Sequence, residues 1–461
     1  MLPRKTIRRA LELVLIIAKN VGRYGIQRLA LLAQRPGMDP PAYADKLWHL
    51  KGRSGRVMFE DMGATFIKLA QILSTRRDLF PPAALKEFEK LQDEVPPFDG
   101  ALVPLIFERD FGKKIEAVFE GFDLTPVASA SVAQVHHGVL KNGREVAVKV
   151  IRPGIEAVMI EDLKIVNAIV KMAARIPFYE SPSLIGFSER FCEMVLKQLD
   201  LTIEAENNRR YQEYIKDEIN RVRVPQLIDE YCSKNIMTME FVRGVKPTEI
   251  KDGDGHYHVK KLAENSLYIY YSMVLYGLIH ADLHPGNMLI SPEHYYWIFD
   301  LGLVDVLDWE YRKGFFEAWF STFNGEGGPL ARLILNSSIS HGVKDMEEFE
   351  AEVGRLVKTH LSQRIQDIEF GAIMMAIGDL QRRYKIVSSP ALTSIGVSLA
   401  SVEGLARYFD PELNIARTIS PHLKKFLRKI YLMDPKLRDR RTEAGERMAK
   451  PETGQAAGQS I

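Results

Sequence analysis

Cysteine is almost missing from this 461-residue chain: Cys192 and Cys232 are the only two. Two thiols support no disulfide framework and suit a reducing compartment, where they act as small apolar filler. Bilayer-length apolar runs are also absent. Leu13 to Ala18 is too short, and Ile386 to Val402 is interrupted by serines, Pro390 and Gly396. No A-x-A-like cleavage site follows the first apolar stretch, where Lys19 and Arg23 stand instead. These absences point to a cytoplasmic protein. Charge of one sign is lacking too: 62 Lys and Arg balance 60 Asp and Glu, a net +2 that argues against nucleic acid as a partner. No internal repeat is visible. With 46% hydrophobic residues, the chain can bury one large core or two smaller ones.

Residues 1–60 form a basic amphipathic segment. The first 35 residues hold eight basic side chains, among them Arg4, Lys5, Arg8 and Arg9, against the single acid Glu12. Leu11, Val14, Leu15, Ala18 and Val21 recur at helical spacing. Two readings stand: a helix lying on an anionic membrane surface, and a helix packed on the body with a solvated basic face. Residues 61–125 continue as helices bounded by Pro81-Pro82 and Pro96-Pro97. Lys68 and Gln71 share a helix face there, and by spacing alone they are surface polar residues.

Strands begin in the next region, residues 126–245. A run of small residues, Ala128, Ser129, Ala130, Ser131, Val132, Ala133 and Gln134, precedes a hairpin whose turn holds Asn142-Gly143. Small side chains let backbone amides approach an anion, as a glycine-rich loop does. The second strand, Glu145 to Val150, carries Lys149 among valines, so this lysine must face water or a charged partner. Helices follow over 155–175 and 187–214, and Asp200 and Glu204 lie one turn apart in the second. Glu204 is the candidate partner for Lys149. Arg223 to Pro225 and Ile236 to Val242 complete the sheet, and Glu240 to Val242 falls at a hinge where backbone groups meet an adenine edge. Residues 246–430 are mainly helical, ending in a basic stretch with Lys424, Lys425, Arg428 and Lys429. Residues 431–461 read as a polar, disordered tail.

The stretch richest in chemistry is His280-Ala-Asp282-Leu-His284-Pro-Gly-Asn287, with Asp300-Leu301-Gly302 following. An Asp and an Asn five residues apart, then an Asp ending an apolar strand, match the order of a kinase catalytic loop and its metal-binding acid. Magnesium prefers oxygen ligands and keeps waters, so Asn287, Asp300 and phosphate oxygens suffice. Asp282 is then left to position or deprotonate an attacking hydroxyl or water. His280, Asp282 and His284 at alternating positions also admit a zinc site, but the strands on either side fit the kinase order better.

Lys68-Leu-Ala-Gln71, the loop 128–136, Val146 to Lys149, Asp200 to Glu204, His280 to Asn287 and Asp300 to Gly302 together resemble the UbiB-type atypical kinases of ubiquinone biosynthesis, the AarF group. The resemblance runs from about residue 63 to 408. It implies an α+β, protein-kinase-like fold of two lobes, with a helical N-terminal extension and a predominantly helical C-lobe. It also implies ATP and Mg2+ as cofactors, with Asp282, Lys149 and Glu204 catalytic and Asn287 and Asp300 metal-binding. The small-residue loop, Glu240 and Val242 would bind nucleotide, and Lys68, Gln71 and Asp200 would belong to the cleft-covering extension.

Expected partners are an isoprenoid lipid or quinone precursor, other quinone-biosynthesis proteins, and an anionic membrane surface reached peripherally at the inner membrane. Many bacterial relatives end in two transmembrane helices, and none is legible here. Three departures stand out: Ala70 for a glycine, Gln198 for the first acid of a Glu-x-Asp motif, and Leu301 inside the Asp-x-Gly motif. Two rival functions remain open. One is direct phosphorylation of a small molecule or lipid headgroup, the other a non-catalytic, nucleotide-gated lipid-binding scaffold.

Overall fold

The computed structural model describes residues 4–74, 81–88, 90–91, 96–173, 181–216, 221–251, 256–361 and 370–432. Four helices come first: α1 (Arg4–Ala33), α2 (Pro40–Met62), α3 (Ala64–Ser74) and α4 (Pro82–Phe88). Gly52 lets α2 and α4 touch along their backbones, since a Cβ there would sit 2.8 Å from Ala84 Cα. Ala70 is wholly buried beside Leu85, Phe88 and Leu91, so a small residue at this position packs α3 onto α4.

Next come α5 (Leu102–Phe111), α6 (Ile115–Val118), β1 (Phe119–Phe122), β2 (Ala128–Ser129), β3 (Ala133–Leu140) and β4 (Glu145–Ile151). The β3–β4 hairpin turns at Gly143, whose φ of 79° is readily adopted only without a side chain. Helices α7 (Ile155–Ala173), α8 (Ser181–Gln198) and α9 (Leu201–Tyr214) follow, then β5 (Val222–Arg223), β6 (Leu227–Cys232) and β7 (Ile236–Glu240). Six strands make one sheet in the order β1-β3-β4-β7-β6, with β2 added to β3.

Alternation along β4 decides what each face of this sheet carries. Val146, Val148 and Val150 point into a core with Val103, Ile106 and Phe107 of α5. Ala147 and Ile151 point the other way, against Leu201 and Ala205 of α9. Lys149 therefore emerges toward α9.

The C-terminal half opens with α10 (Val259–Tyr276), followed by the short strands β8 (Leu278–His280), β9 (Met288–Ile290), β10 (Tyr296–Ile298) and β11 (Val304–Val306). The remaining elements are α11 (Trp309–Phe323), α12 (Gly328–Asn336), β12 (Ser338–Ser340), α13 (Met346–Leu361), α14 (Phe370–Arg383), β13 (Val387–Ser388), α15 (Pro390–Phe409) and α16 (Ile415–Leu432). The tyrosine-rich α10 is the axis of the largest core, where Tyr270 and Tyr271 are fully buried.

The α+β fold of two lobes, with helices ahead of the first and a mostly helical second, is the one expected. Four details differ. β1 and α5 join the N-lobe, although they fall within the 61–125 extension, because Phe107 and Phe119 are both buried in the sheet's own core. Arg223 pairs with β10 in the C-lobe instead of completing the large sheet, and β6 takes that edge. The helix expected over 187–214 breaks at Leu199–Asp200. Short strands also punctuate the C-lobe helices. The tail from 433, residues 75–78 and 92–93 of the extension, and the side chain of Lys424 lie outside what is described.

Candidate active site

Glu204 lies on the first turn of α9, buried, and its two oxygens accept from Lys149 Nζ at 2.8 and 2.7 Å. The same ammonium donates to Asp300 Oδ1 at 3.3 Å. Burial alone would drive the proton off Lys149, but Asp300 and Glu204 overcome it and hold its pKa above the ordinary lysine value. Burial would raise Asp300, but Lys149, with Lys68 adding to the effect, holds it well below the usual carboxylate range. Burial pushes the Glu204 carboxyl up, with Lys149 opposing. The pair expected across 55 residues is thus formed, and Lys68, buried on α3, is close enough for its charge to act on Asp300. Helical spacing alone makes Lys68 a surface residue; in the fold it is 6% exposed.

Asp300 is one of three non-glycine residues with positive φ among the described residues, at 53°, a conformation that Asp tolerates better than most residues. Its neighbour Phe299 fixes the turn, donating its N–H to the Asn287 carbonyl at 2.9 Å and accepting from His280 Nε2 at 3.1 Å. Because His280 Nδ1 accepts the Asp282 N–H at 3.2 Å, the proton of the neutral ring must sit on Nε2. Burial keeps this imidazole neutral by lowering its pKa. His280 is a strut of the loop, and Ser398 of α15 adds a 2.6 Å bond to its carbonyl.

Asn287 Nδ2 donates to the Asp282 carbonyl at 3.1 Å, which turns the amide so that Oδ1 remains for another partner. Asp282 itself is half-exposed, and His284 Nε2 lies 4.0 Å from its Oδ2. Among the described residues, no three His, Cys, Asp or Glu side chains converge as a zinc site requires. A magnesium ion bound largely through phosphate and water fits better, since Asn287 Oδ1 and the ionised Asp300 are hard oxygen donors.

The small-residue loop is braced from beneath. Arg152 donates to the Ala130 carbonyl at 2.8 Å and to Ser129 Oγ at 2.7 Å, and Ala130 N–H donates to the Ala133 carbonyl at 2.8 Å. Its second half, Ser131 to Gln134, is buried. Val132 packs with Met159 and Phe191, while Gln134, fully buried, bonds Phe98 N at 3.1 Å and His136 Nε2 at 2.8 Å. Gln134 is therefore a latch on the irregular segment before α5, and what the loop offers a phosphate is backbone.

At the far end, Glu240 is tied twice to Gln226: its carboxylate accepts from Gln226 N–H at 3.2 Å and its own N–H donates to the Gln226 carbonyl at 2.8 Å. The hinge then crosses at Gly244, where a Cβ would lie 2.8 Å from the Ile290 carbonyl.

Asp200 is a correction. It lies before α9, not within it, with its carboxylate accepting from Thr202 N at 3.0 Å and Thr202 Oγ1 at 2.6 Å. It caps the helix that carries Glu204 and so acts on the site through its own backbone. Gln71 Nε2 donates to the Leu91 carbonyl at 3.3 Å, tying α3 to the turn after α4. Gln198 lies beside Gly302, whose added Cβ would meet Gln198 Cγ at 3.8 Å, Glu204 Oε2 at 3.7 Å and Asp300 Oδ1 at 3.4 Å. Leu301 is buried in the C-lobe core, and its carbonyl accepts from Asn207 at 2.8 Å.

Asn207 and Tyr211, the latter bonded to the Leu278 carbonyl at 3.0 Å, escaped the sequence reading. Both follow Glu204 at helical spacing, which was the signal available. Asp305, joined to Arg190 of α8 and Ser394 of α15, had none.

A lysine on a small antiparallel sheet, paired with a helix glutamate above a loop bearing Asp282, Asn287 and Asp300, defines a protein of the kinase-like class. Residues 90–332 match the ABC1 atypical kinase-like domain and residues 353–414 the UbiB helical domain. The chain is 34% identical over 386 residues to the "Probable protein kinase UbiB" of Aeromonas salmonicida, covering 82% of this chain and 70% of that one. It is 33% identical over 419 residues to the protein of the same description in Aeromonas hydrophila, covering 87% and 76%. A Mycobacterium tuberculosis protein solved in complex with erythromycin shares the fold, with a TM-score of 0.50 at 21% identity over 75% of this chain and 91% of that one. The chain belongs to the UbiB family of atypical kinases.

Proposed function

We propose that this protein is an ATP-binding, Mg2+-dependent phosphotransferase or ATPase that supports ubiquinone or another isoprenoid quinone's synthesis, acting from the cytoplasmic face of the inner membrane. The observation that carries this reading is the Lys149–Glu204–Asp300 cluster, an arrangement suited to a triphosphate and its metal ion. In this reading Lys149 binds the α- and β-phosphates, oriented by Glu204, and the backbone of 128–133 follows the phosphate chain. The backbone of Glu240 and Val242 meets the adenine. Asn287 and Asp300 hold Mg2+, which supplies charge neutralisation to the phosphates. Asp282 positions the attacking oxygen and takes its proton. Lys68 over Asp300 narrows access for large acceptors.

A second reading, a nucleotide-gated scaffold without chemistry, is favoured by that same buried Lys68 and by an uncharged Gln198 beside Gly302. Asp282→Asn separates the two. Expected is a loss of roughly 100-fold or more in ATP turnover with nucleotide affinity kept, and failure to restore quinone levels in a deletion strain. Full restoration would establish the scaffold. A phosphorylated metabolite that disappears in Asp282→Asn would instead identify a small-molecule or lipid headgroup acceptor.

A further inference from the structure

Among the described residues, helix α1 is partnered along one side only. Thr6, Leu13, Asn20 and Leu31 are buried against the body, and polar bonds fix this side in place. Arg9 reaches Asp162 of α7 at 2.7 Å and the Met62 carbonyl at 2.7 Å, Thr6 bonds Glu161, and Asn20 bonds Asp61 at 3.0 Å. Asp162 also accepts from Thr65 of α3 at 2.8 Å, so α1 is joined to the same helix that carries Lys68.

The opposite side of α1 is apolar and bare. With successive side chains turning by about 100°, Leu11, Val14, Leu15, Val21, Ile26 and Leu29 fall on one broad arc roughly opposite Leu13 and Leu31. Leu11 is 60% exposed, Leu15 70%, Ile26 73% and Leu29 68%. Gly22 and Gly25, on the same arc, have nothing within 4 Å of an added Cβ. Solvent-facing leucines scattered singly need no explanation, but a continuous row along a helix of about 45 Å does.

Charge decides what covers it. Lys5, Arg8, Lys19 and Arg23 line one flank of the arc, opposed there by Glu12 and Asp61, and Arg28 lies on the other flank. A helix with one face on the protein, an outward apolar arc and a basic flank meets an anionic leaflet lying flat. Spanning is excluded by the bonded polar groups of its inner side, and no helix among the described residues is long and apolar enough to cross a membrane.

We infer that α1 is an in-plane membrane-docking helix that inserts Leu11, Leu15, Ile26 and Leu29 into an anionic bilayer surface, with Lys5, Arg8 and Arg23 at the headgroups. This rests on the peripheral-membrane part of the proposed function and is independent of its chemistry. It also revises which cations serve the surface, because Arg9 is spent on Asp162.

The test uses the full chain with sedimenting vesicles of phosphatidylcholine alone and of phosphatidylcholine with phosphatidylglycerol. The variants are Leu11→Ser/Leu15→Ser/Ile26→Ser/Leu29→Ser and Lys5→Gln/Arg8→Gln/Arg23→Gln. The arc variant is expected to lose about 100-fold or more in partitioning while its melting temperature and oligomeric state match those of wild type. The flank variant is expected to lose about tenfold or more on anionic vesicles only, with most of the salt dependence gone. Wild-type binding that the arc variant retains in full would overturn the inference while leaving peripheral association standing. Wild-type protein that ignores both vesicles would overturn both. A wild-type dimer that the arc variant dissociates, without vesicle binding, would assign the arc to a second copy of the chain instead.

Discussion

Replacing Lys149 by Met tests the central cluster most directly. The substitution keeps an unbranched side chain one atom shorter and removes the charge that Glu204 meets at 2.7 Å and Asp300 at 3.3 Å. Stranding a buried ion-pair partner costs about 3–5 kcal/mol. The Asp300 side chain is 36% exposed, so water screens its share and the lower end, about 3 kcal/mol, applies. That corresponds to a fall of roughly 3 °C in melting temperature if the chain unfolds as one unit.

Glu204→Gln alone leaves Lys149 facing Asp300 and should cost less, about 1–2 kcal/mol. The double variant no longer strands a buried glutamate, so its cost should fall short of the sum by at least about 1 kcal/mol. The pH dependence follows from the directions of the shifts. Lys149 is raised on folding, so its contribution is complete below about pH 10.4 and is lost as pH rises through the folded value. Asp300 is depressed, so its contribution is complete above about pH 3.9 and is lost as pH falls through the folded value. The difference between wild type and Lys149→Met should therefore be largest toward pH 9 and narrow toward pH 5, where the stranded Glu204, pushed up by burial with no Lys149 to oppose it, takes up a proton in the variant. Urea unfolding followed by circular dichroism at about pH 5, 7 and 9 measures it. A cost below about 1 kcal/mol, or strict additivity in the double variant, would refute the assignment of a coupled buried cluster.

Three further outcomes are expected. Gly277→Ala places a Cβ 2.8 Å from the Leu307 carbonyl at a φ of 79°, just before β8, and should destabilise by about 1–3 kcal/mol in the same unfolding assay. His280 is neutral in the fold because burial lowers its pKa, so the unfolded chain gains a proton first as pH falls below about 6.5. Stability should then drop with falling pH by up to about 1.4 kcal/mol per unit more in wild type than in His280→Gln; equal slopes would contradict this. Asp200→Ala should cost about 1 kcal/mol through loss of the α9 cap, and Asp200→Ser much less. A change in Mg-ATP affinity with unaltered melting would point to a direct role for Asp200 in the cleft.

Some of this protein was legible residue by residue. The alternation of β4 sends Lys149 to the face opposite Val148 and Val150, the Asn142-Gly143 pair sets the hairpin, and the Asp282 to Asn287 spacing sets the loop, because each depends on neighbours in sequence. The apolar arc of α1 was equally visible, though not whether anything packed against it. Tertiary structure decided the rest. Glu204 reaches Lys149 only because Leu201 and Ala205 bury α9 against the sheet across 55 residues of intervening chain. Asp200, four residues before Glu204, was assigned to its face by periodicity, yet the helix begins one residue later and turns that carboxylate onto its own backbone. Lys68 looked like a surface lysine at helical spacing and is buried near Asp300, since the fate of a polar side chain is set by what packs over it. Local pattern determines which way a side chain leaves its own strand or helix. What it then meets is a non-local quantity, set by how the apolar faces of distant segments are covered together.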